Sequence, residues 1–331
     1  MQDFKSFSER IKDLKSEDFE TLALELFKFQ ASENQIYKKY IEARRIDISK
    51  VDQIKAIPFL PIQFFKDYKV ISGDQSLFPG YYSSSGTTGM ITSKHFYWSE
   101  EWYLNHAQRI FEQEYGSIEG FHVLVLLPSY LERKGSSLVK MADHFIRKSN
   151  SKDSGFYLYN QNELIEKLIS LSAGSKKILL LGVTFALLDL AESGVKLPEI
   201  KNLTVMETGG MKGRRKEMVR EEVHSILKSF FGVYEIHSEY GMTELMSQAY
   251  SKGKGKYTLP SSMYVMLRDI NDPLSWTTRK QGGINVIDLA NFHSCSFIET
   301  QDLGSFDENG ELEILGRIDN SEIRGCNLLV Q

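Results

Sequence analysis

The chain has 331 residues, 41% hydrophobic and 25% charged, which is enough for one large or two ordinary globular domains. A net charge of −4 gives no bulk attraction to nucleic acid, so nucleic-acid binding is not expected. The two cysteines, Cys295 and Cys326, form no CxxC pair, which argues against a disulfide framework or a structural zinc site and fits a reducing cytoplasm.

The first ten residues mix charges of both signs and lack the apolar run of a signal peptide. Residues 3–45 carry helical spacing, with Phe4, Phe7, Ile11 and Leu14 on one face and then Leu22, Leu24, Leu26 and Phe27. This predicts a helical cap over about residues 1–55. Residues 57–66, aromatic and punctuated by Pro58 and Pro61, read as an extended segment packed across the body.

Next comes Ser83-Ser84-Ser85-Gly86-Thr87-Thr88-Gly89, directly after Tyr81-Tyr82. Seven small residues cannot build a core. They offer unobstructed backbone N–H groups and hydroxyl donors, which suit the wrapping of phosphate oxygens, although such a cluster also suits an ordinary surface loop. No Gly-Lys-Ser/Thr follows, so the run is not a Walker A loop.

From residue 121 strands and helices alternate. An apolar run at 121–127 ends at Pro128 and is followed by an amphipathic segment at 137–148 with Leu138, Met141, Phe145 and Ile146 on one side. The same order recurs at 177–183 and 184–193, and at 203–207 and 212–231, which predicts a mainly parallel sheet covered by helices. The most apolar stretch, residues 178–191, contains Gly182 and Asp189 and is too short to span a bilayer, so no transmembrane segment is expected. A further strand is expected at 232–236. After about residue 250 short strands are expected at 264–269, 283–289, 295–300 and 311–315, with a hairpin turn at 307–310, forming a smaller antiparallel sheet or barrel.

Five segments, in order over residues 83–325, resemble adenylate-forming enzymes, the acyl-CoA synthetase and luciferase superfamily. The Ser/Thr/Gly run resembles that family's phosphate loop, which implies phosphate contacts for Ser84, Ser85, Gly86, Thr87, Thr88 and Gly89. Glu207-Thr208-Gly209-Gly210 matches a glycine-rich strand end, implying that Gly209 and Gly210 line the nucleotide pocket. His237 to Glu244 contains a Tyr-Gly-x-Thr-Glu motif. The resemblance implies that Tyr240 stacks on adenine beside Gly241, that Thr243 meets the α-phosphate, and that Glu244 binds the Mg2+ accompanying ATP. By itself this segment would read as a turn with Thr243 as a helix cap. Thr300-Gln301-Asp302 resembles Thr-Gly-Asp, with Gln301 in place of the glycine, and implies Asp302 on the ribose hydroxyls. Gly316-Arg317-Ile318-Asp319 resembles the family hinge, with Arg317 near the ribose.

The implied fold is α/β: the large N-terminal domain of adenylate-forming enzymes over residues 1–315, including an antiparallel β part at about 250–315, then a hinge and tail at 316–331 without the family's usual C-terminal domain and its lysine. Lys94, Lys212 and Arg214 are candidate substitutes, and Arg215 and Lys216 read as surface charges. Cys326 lies near the end, two residues after Arg324, where the cation favours the thiolate; a buried inert cysteine is the plain alternative. This layout, with residues 57–66 and 128–138, resembles the acyl-protein synthetases (LuxE-type) of bacterial fatty acid reductase complexes.

The resemblance implies that ATP and Mg2+ activate a fatty or related carboxylic acid as acyl-AMP, that the acyl group passes to Cys326, and that a partner reductase or transferase collects it. Two alternatives remain: transfer of an acyl or aryl adenylate to coenzyme A or a carrier protein, and a catalytically weak nucleotide-binding scaffold. His237 reads as structural, since a carboxylate substrate needs no base at neutral pH, and Cys295 reads as core.

Overall fold

The computed structural model describes residues 2–84, 92–128, 135–158, 160–209, 218–277 and 279–318. They fall into two compact units, residues up to 75 with those from 261 onward, and residues 76–260.

The second unit is built on a sheet whose three central strands lie where the sequence predicts them. Phe121–Leu126 and Lys177–Val183 are mostly apolar because both faces of a parallel sheet are covered by helices, and Leu203–Thr208 is apolar through Leu203, Val205 and Met206 before it ends in Glu207 and Thr208. Gly155–Tyr157, Phe121–Leu126, Lys177–Val183, Leu203–Thr208 and His237–Tyr240 lie side by side in that order, all parallel. Ala249–Ser251 and Lys256–Thr258 extend the sheet antiparallel. The helices are Glu100–Tyr115, Ser137–Lys148, Gln161–Leu171, Thr184–Ala191 and Arg220–Phe231. Ser99 starts the first by accepting a hydrogen bond from Trp102 N, and Glu100 and Glu101 favour its positive end. Phe111 fills the core beneath it, ring to ring with Phe121, Phe145, Tyr115 and Tyr250.

The strand expected at 232–236 forms instead at His237–Tyr240. Gly232 has a φ of 66° and caps the C-terminus of the preceding helix, so the chain needs several residues to return to the sheet. A hairpin of Gly80–Ser83 with Lys94–Tyr97 stands beside the main sheet, pairing Ser83 with Lys94 and Tyr82 with His95.

The first unit joins a helical cap to an antiparallel meander. Gln2–Lys12, Phe19–Glu33 and Gln35–Ala43 are helices. Phe4, Phe7, Ile11, Leu22, Leu26 and Phe27 are buried as expected, while Leu14 and Leu24 are only partly covered. Met263–Arg268, Gln281–Asp288, Phe297–Phe306 and Leu312–Arg317 pair antiparallel in sequence order. The turn at 307–310 closes with Gly310 N donating to Asp307 O. Residues 57–66 are not extended throughout: Leu60–Pro61 pairs parallel with Phe297–Phe306, but Phe64–Asp67 is a short helix. Among the described residues no helix is long and apolar enough to cross a membrane.

Candidate functional site

In the second unit three consecutive parallel strands end in polar residues. Lys177–Val183 delivers Thr184, Leu203–Thr208 delivers Glu207, Thr208 and Gly209, and His237–Tyr240 delivers Glu239, Tyr240 and Gly241. Carboxyl ends of parallel strands are where α/β proteins place their ligands. Gly209 has a φ of 71°, a conformation that favours glycine, and its carbonyl lies 3.1 Å from Thr184 Oγ1.

Two carboxylates are buried here. Thr184 Oγ1 donates to Glu207 Oε2 at 2.7 Å, and His224 Nε2 is 3.7 Å from Glu207 Oε1. Burial opposes the ionised form of Glu207, but His224, Thr184, Arg220 and Ser238 outweigh it and hold the carboxyl below its ordinary value. Glu239, opposite Thr208 in the parallel register, accepts a short hydrogen bond from Thr208 Oγ1. Burial, with the nearby Glu207 charge, pushes Glu239 up to about 7 despite that bond. The neighbouring strands thus hold one carboxylate charged and one that takes a proton near neutrality.

Tyr240 is buried and meets Tyr257 edge to face. A Cβ on Gly241 would run into Glu239 Oε1, the end of a side chain whose other oxygen Thr208 holds, so a larger residue here has to displace that carboxyl. The chain then turns, with Leu245 N donating to Met242 O, and Glu244 is buried at 6% exposure. No helix follows; Ala249–Ser251 is a strand, so the reading of Thr243 as a helix cap is set aside.

Two histidines brace this segment. The Thr243 carbonyl can only accept, so His95 Nδ1 donates to it, at 2.9 Å. Arg109 donates to His106 Nδ1 at 3.0 Å, which leaves His106 Nε2–H for Ser247 Oγ, also at 3.0 Å. Burial lowers His95 to about 4, and burial with the Arg109 charge lowers His106 to about 3, so both are neutral at pH 7.

His95 belongs to the hairpin that carries the Ser/Thr/Gly run. Ser84 N donates to Ser93 O at 3.1 Å, Ser93 N donates to Ser84 Oγ at 2.9 Å, and Ser83 N donates to Gly135 O. Lys94, exposed, lies over the Tyr81 ring. His237 Nδ1 is 3.1 Å from Tyr115 Oη, and burial together with the Lys252 charge lowers it to about 4.

Asp302 and Arg317 belong to the first unit, directly opposite each other on adjacent strands, with Arg317 Nε 3.7 Å from Asp302 Oδ1. Asp302 is largely covered and Arg317 is exposed. Cys295 is fully buried just before the strand at Phe297, donates to the Phe297 carbonyl, and is pushed up to about 12 by burial, so it is an inert core thiol. Ser85, Gly86, Thr87, Thr88, Gly89, Gly210, Lys212, Arg214, Arg215, Lys216, Asp319 and Cys326 lie outside the described residues. Glu239, Thr184, His224, His95 and His106 carried no functional reading in the sequence. Thr184 could have been marked by its place at the end of the strand predicted at 177–183, but the strand predicted at 232–236 stops short of Glu239, and the histidines had no local signal.

No protein-family model matches the chain, and no curated protein matches it. Solved structures do. An open conformation of 2-hydroxyisobutyryl-CoA ligase in complex with 2-HIB-AMP and CoA matches with 13% identity and a TM-score of 0.67, over 91% of this chain and 74% of that one. ATP-bound MatB from Rhodopseudomonas palustris matches with 16% identity and a TM-score of 0.53, over 76% of this chain and 49% of that one. The luciferase-like enzyme from the nonluminescent Zophobas morio mealworm matches with 13% identity and a TM-score of 0.51. The chain thus spans about half the length of MatB. At these identities the likeness establishes the fold alone, one that this chain shares with those structures: a large, mainly parallel sheet with helices and a smaller antiparallel sheet.

Proposed function

We propose that this protein is an ATP-dependent ligase that activates a fatty or related carboxylic acid as an acyl adenylate and then takes the acyl group onto Cys326. The observation that carries the reading is the 240–244 segment: it leaves the carboxyl end of a parallel strand, buries Glu244, and is joined through Thr243 to the hairpin of the Ser/Thr/Gly run. In this reading Ser84 to Gly89 and Thr243 bind the phosphates, Gly209, Gly210, Tyr240 and Gly241 shape the adenine pocket, and Asp302 and Arg317 serve the ribose.

The residues fit Mg2+. That ion keeps several waters and binds through one or two carboxylates plus substrate phosphates, and Glu244 supplies one carboxylate. Among the described residues no cluster of three or more His, Cys, Asp or Glu forms a separate all-protein metal cage. When bound with ATP, Mg2+ neutralises charge on the triphosphate.

The substrate carboxylate oxygen forms a bond to the α-phosphorus, the bond from that phosphorus to the bridging oxygen breaks, and pyrophosphate leaves with the electron pair. Residues 84–89 and Thr243 hold the phosphates in line and donate to the developing charge. The Cys326 thiolate then attacks the acyl carbon and expels AMP, leaving a thioester for a partner reductase or transferase. Arg324, two residues away, favours the thiolate.

The test is intact mass after incubation with Mg-ATP and a panel of fatty and aromatic acids, in wild type and Cys326→Ser. A hydroxylamine-labile acyl adduct in wild type alone is expected. An adduct that persists in Cys326→Ser sinks the acceptor assignment, and pyrophosphate release without an adduct redirects the acyl group to coenzyme A or a carrier. ATP binding with neither product reduces the protein to a nucleotide-binding scaffold.

A further inference from the structure

Within the second unit His95 joins two segments that lie far apart in sequence. Its strand, Lys94–Tyr97, pairs with Gly80–Ser83, and two hydrogen bonds between Ser84 and Ser93 continue that pairing by one more residue on each side. Across 148 residues its ring donates to the carbonyl of Thr243, immediately before Glu244. The ring is fully buried at 0% exposure. The bond is part-buried, with the ring side fully covered, so any side chain at this position that cannot donate removes the protein donor from the Thr243 carbonyl and frees its turn to move.

We propose that His95 is a positioning residue that fixes Thr243 and Glu244 relative to the hairpin of Gly80–Ser83 and Lys94–Tyr97, so that Thr243 and Glu244 meet the triphosphate together. This rests on the adenylation reading above. The donor is dependable over the physiological range because burial lowers the ring to about 4 and keeps it neutral, with Nδ1 carrying its hydrogen toward Thr243. A histidine that merely filled the core would be replaceable by an apolar side chain of similar size. A positioning histidine is replaceable by one that keeps the donor.

Asparagine and leucine separate the two roles. Asn Nδ2, bonded to Cγ as His Nδ1 is, carries a hydrogen toward the same carbonyl but leaves part of the ring volume empty. Leu fills the volume and cannot donate. Mg-ATP affinity is measured by calorimetry, and amide exchange is followed in peptides covering residues 83–95 and 240–247, with urea stability recorded alongside. His95→Leu is expected to bind Mg-ATP about tenfold more weakly, the order expected for one lost charge-neutral hydrogen bond, and to exchange faster in the 240–247 peptide. His95→Asn is expected to stay within about twofold of wild type in affinity even where its urea stability is the lower of the two.

Equal Mg-ATP affinity in wild type, His95→Leu and His95→Asn overturns the positioning role while leaving adenylation intact. Affinity that simply follows urea stability in both variants also overturns it. A wild-type protein that binds no Mg-ATP overturns the adenylation reading itself, and the positioning role with it.

Discussion

The buried pair of carboxylates makes a quantitative claim about pH. Glu239 titrates at about 7 in the folded chain, against an ordinary 4.5, because it is buried beside the Glu207 charge. That gap corresponds to about 3 kcal/mol. The folded chain holds this proton more tightly than the unfolded chain, so the stabilisation is fully present below about pH 4.5 and is lost as pH rises through about 7. Between about pH 5 and about pH 8 the wild type loses about 2–3 kcal/mol through this group.

Glu239→Gln removes the effect with little change of shape. Its amide oxygen still accepts from Thr208 Oγ1, and there is no proton to lose. Urea unfolding followed by circular dichroism at about pH 5, 6, 7 and 8 gives the stability of both proteins, and the difference between them cancels groups common to both. That cancellation matters because His95, His106 and His237 act in the opposite direction. Lowered to about 4, 3 and 4, they lose their stabilisation as pH falls below their ordinary 6.5. Relative to wild type, the variant is expected to gain about 2–3 kcal/mol between about pH 5 and about pH 8. A difference that stays constant within about 0.5 kcal/mol across the series refutes the reasoning, since it means that Glu239 does not change protonation on unfolding.

Three further outcomes are expected. Glu244→Gln keeps the fold but lowers acid-dependent pyrophosphate release by about a hundredfold or more, measured by a coupled assay at saturating Mg-ATP; a change of less than about threefold removes Glu244 from the proposed metal site. Gly241→Ala costs about 1–3 kcal/mol in urea unfolding because its Cβ meets the pinned Glu239 carboxyl, and the cost falls in a Glu239→Ala background; equal costs in the two backgrounds would deny the clash. Phe111→Ala, emptying the space among Phe121, Phe145 and Tyr250, lowers stability by about 3–5 kcal/mol in the same assay, and a loss below about 1 kcal/mol contradicts the packing.

The parallel strands were legible in the sequence because burial on both faces leaves little alternation to disguise them, most clearly in residues 121–126 and 177–183. The strand at His237–Tyr240 was displaced in the reading because Gly232 marks equally well the end of a helix or the start of a strand. Phe64–Asp67 was hidden by the prolines before it, which favour extended backbone at their own neighbours and say little about residues beyond them.

The candidate site divides along a similar line. Gly241 and the Tyr-Gly-x-Thr-Glu string stand out because what they require is local: a side chain absent at one position, a hydroxyl and a carboxylate at fixed offsets. The groups that hold them depend on strand register and helix packing instead. Thr208 meets Glu239 only because residues 203–208 and 237–240 pair in parallel with those two opposite each other. A slip of one residue would turn Glu239 to the other face of the sheet and leave Thr208 facing a different side chain. Thr184 reaches Glu207 from the adjoining strand end, and His95 reaches Thr243 from a separate hairpin. Short motifs therefore nominate the groups proposed to touch a ligand, while the bonds that give those groups their protonation and placement arise only when distant segments are brought side by side.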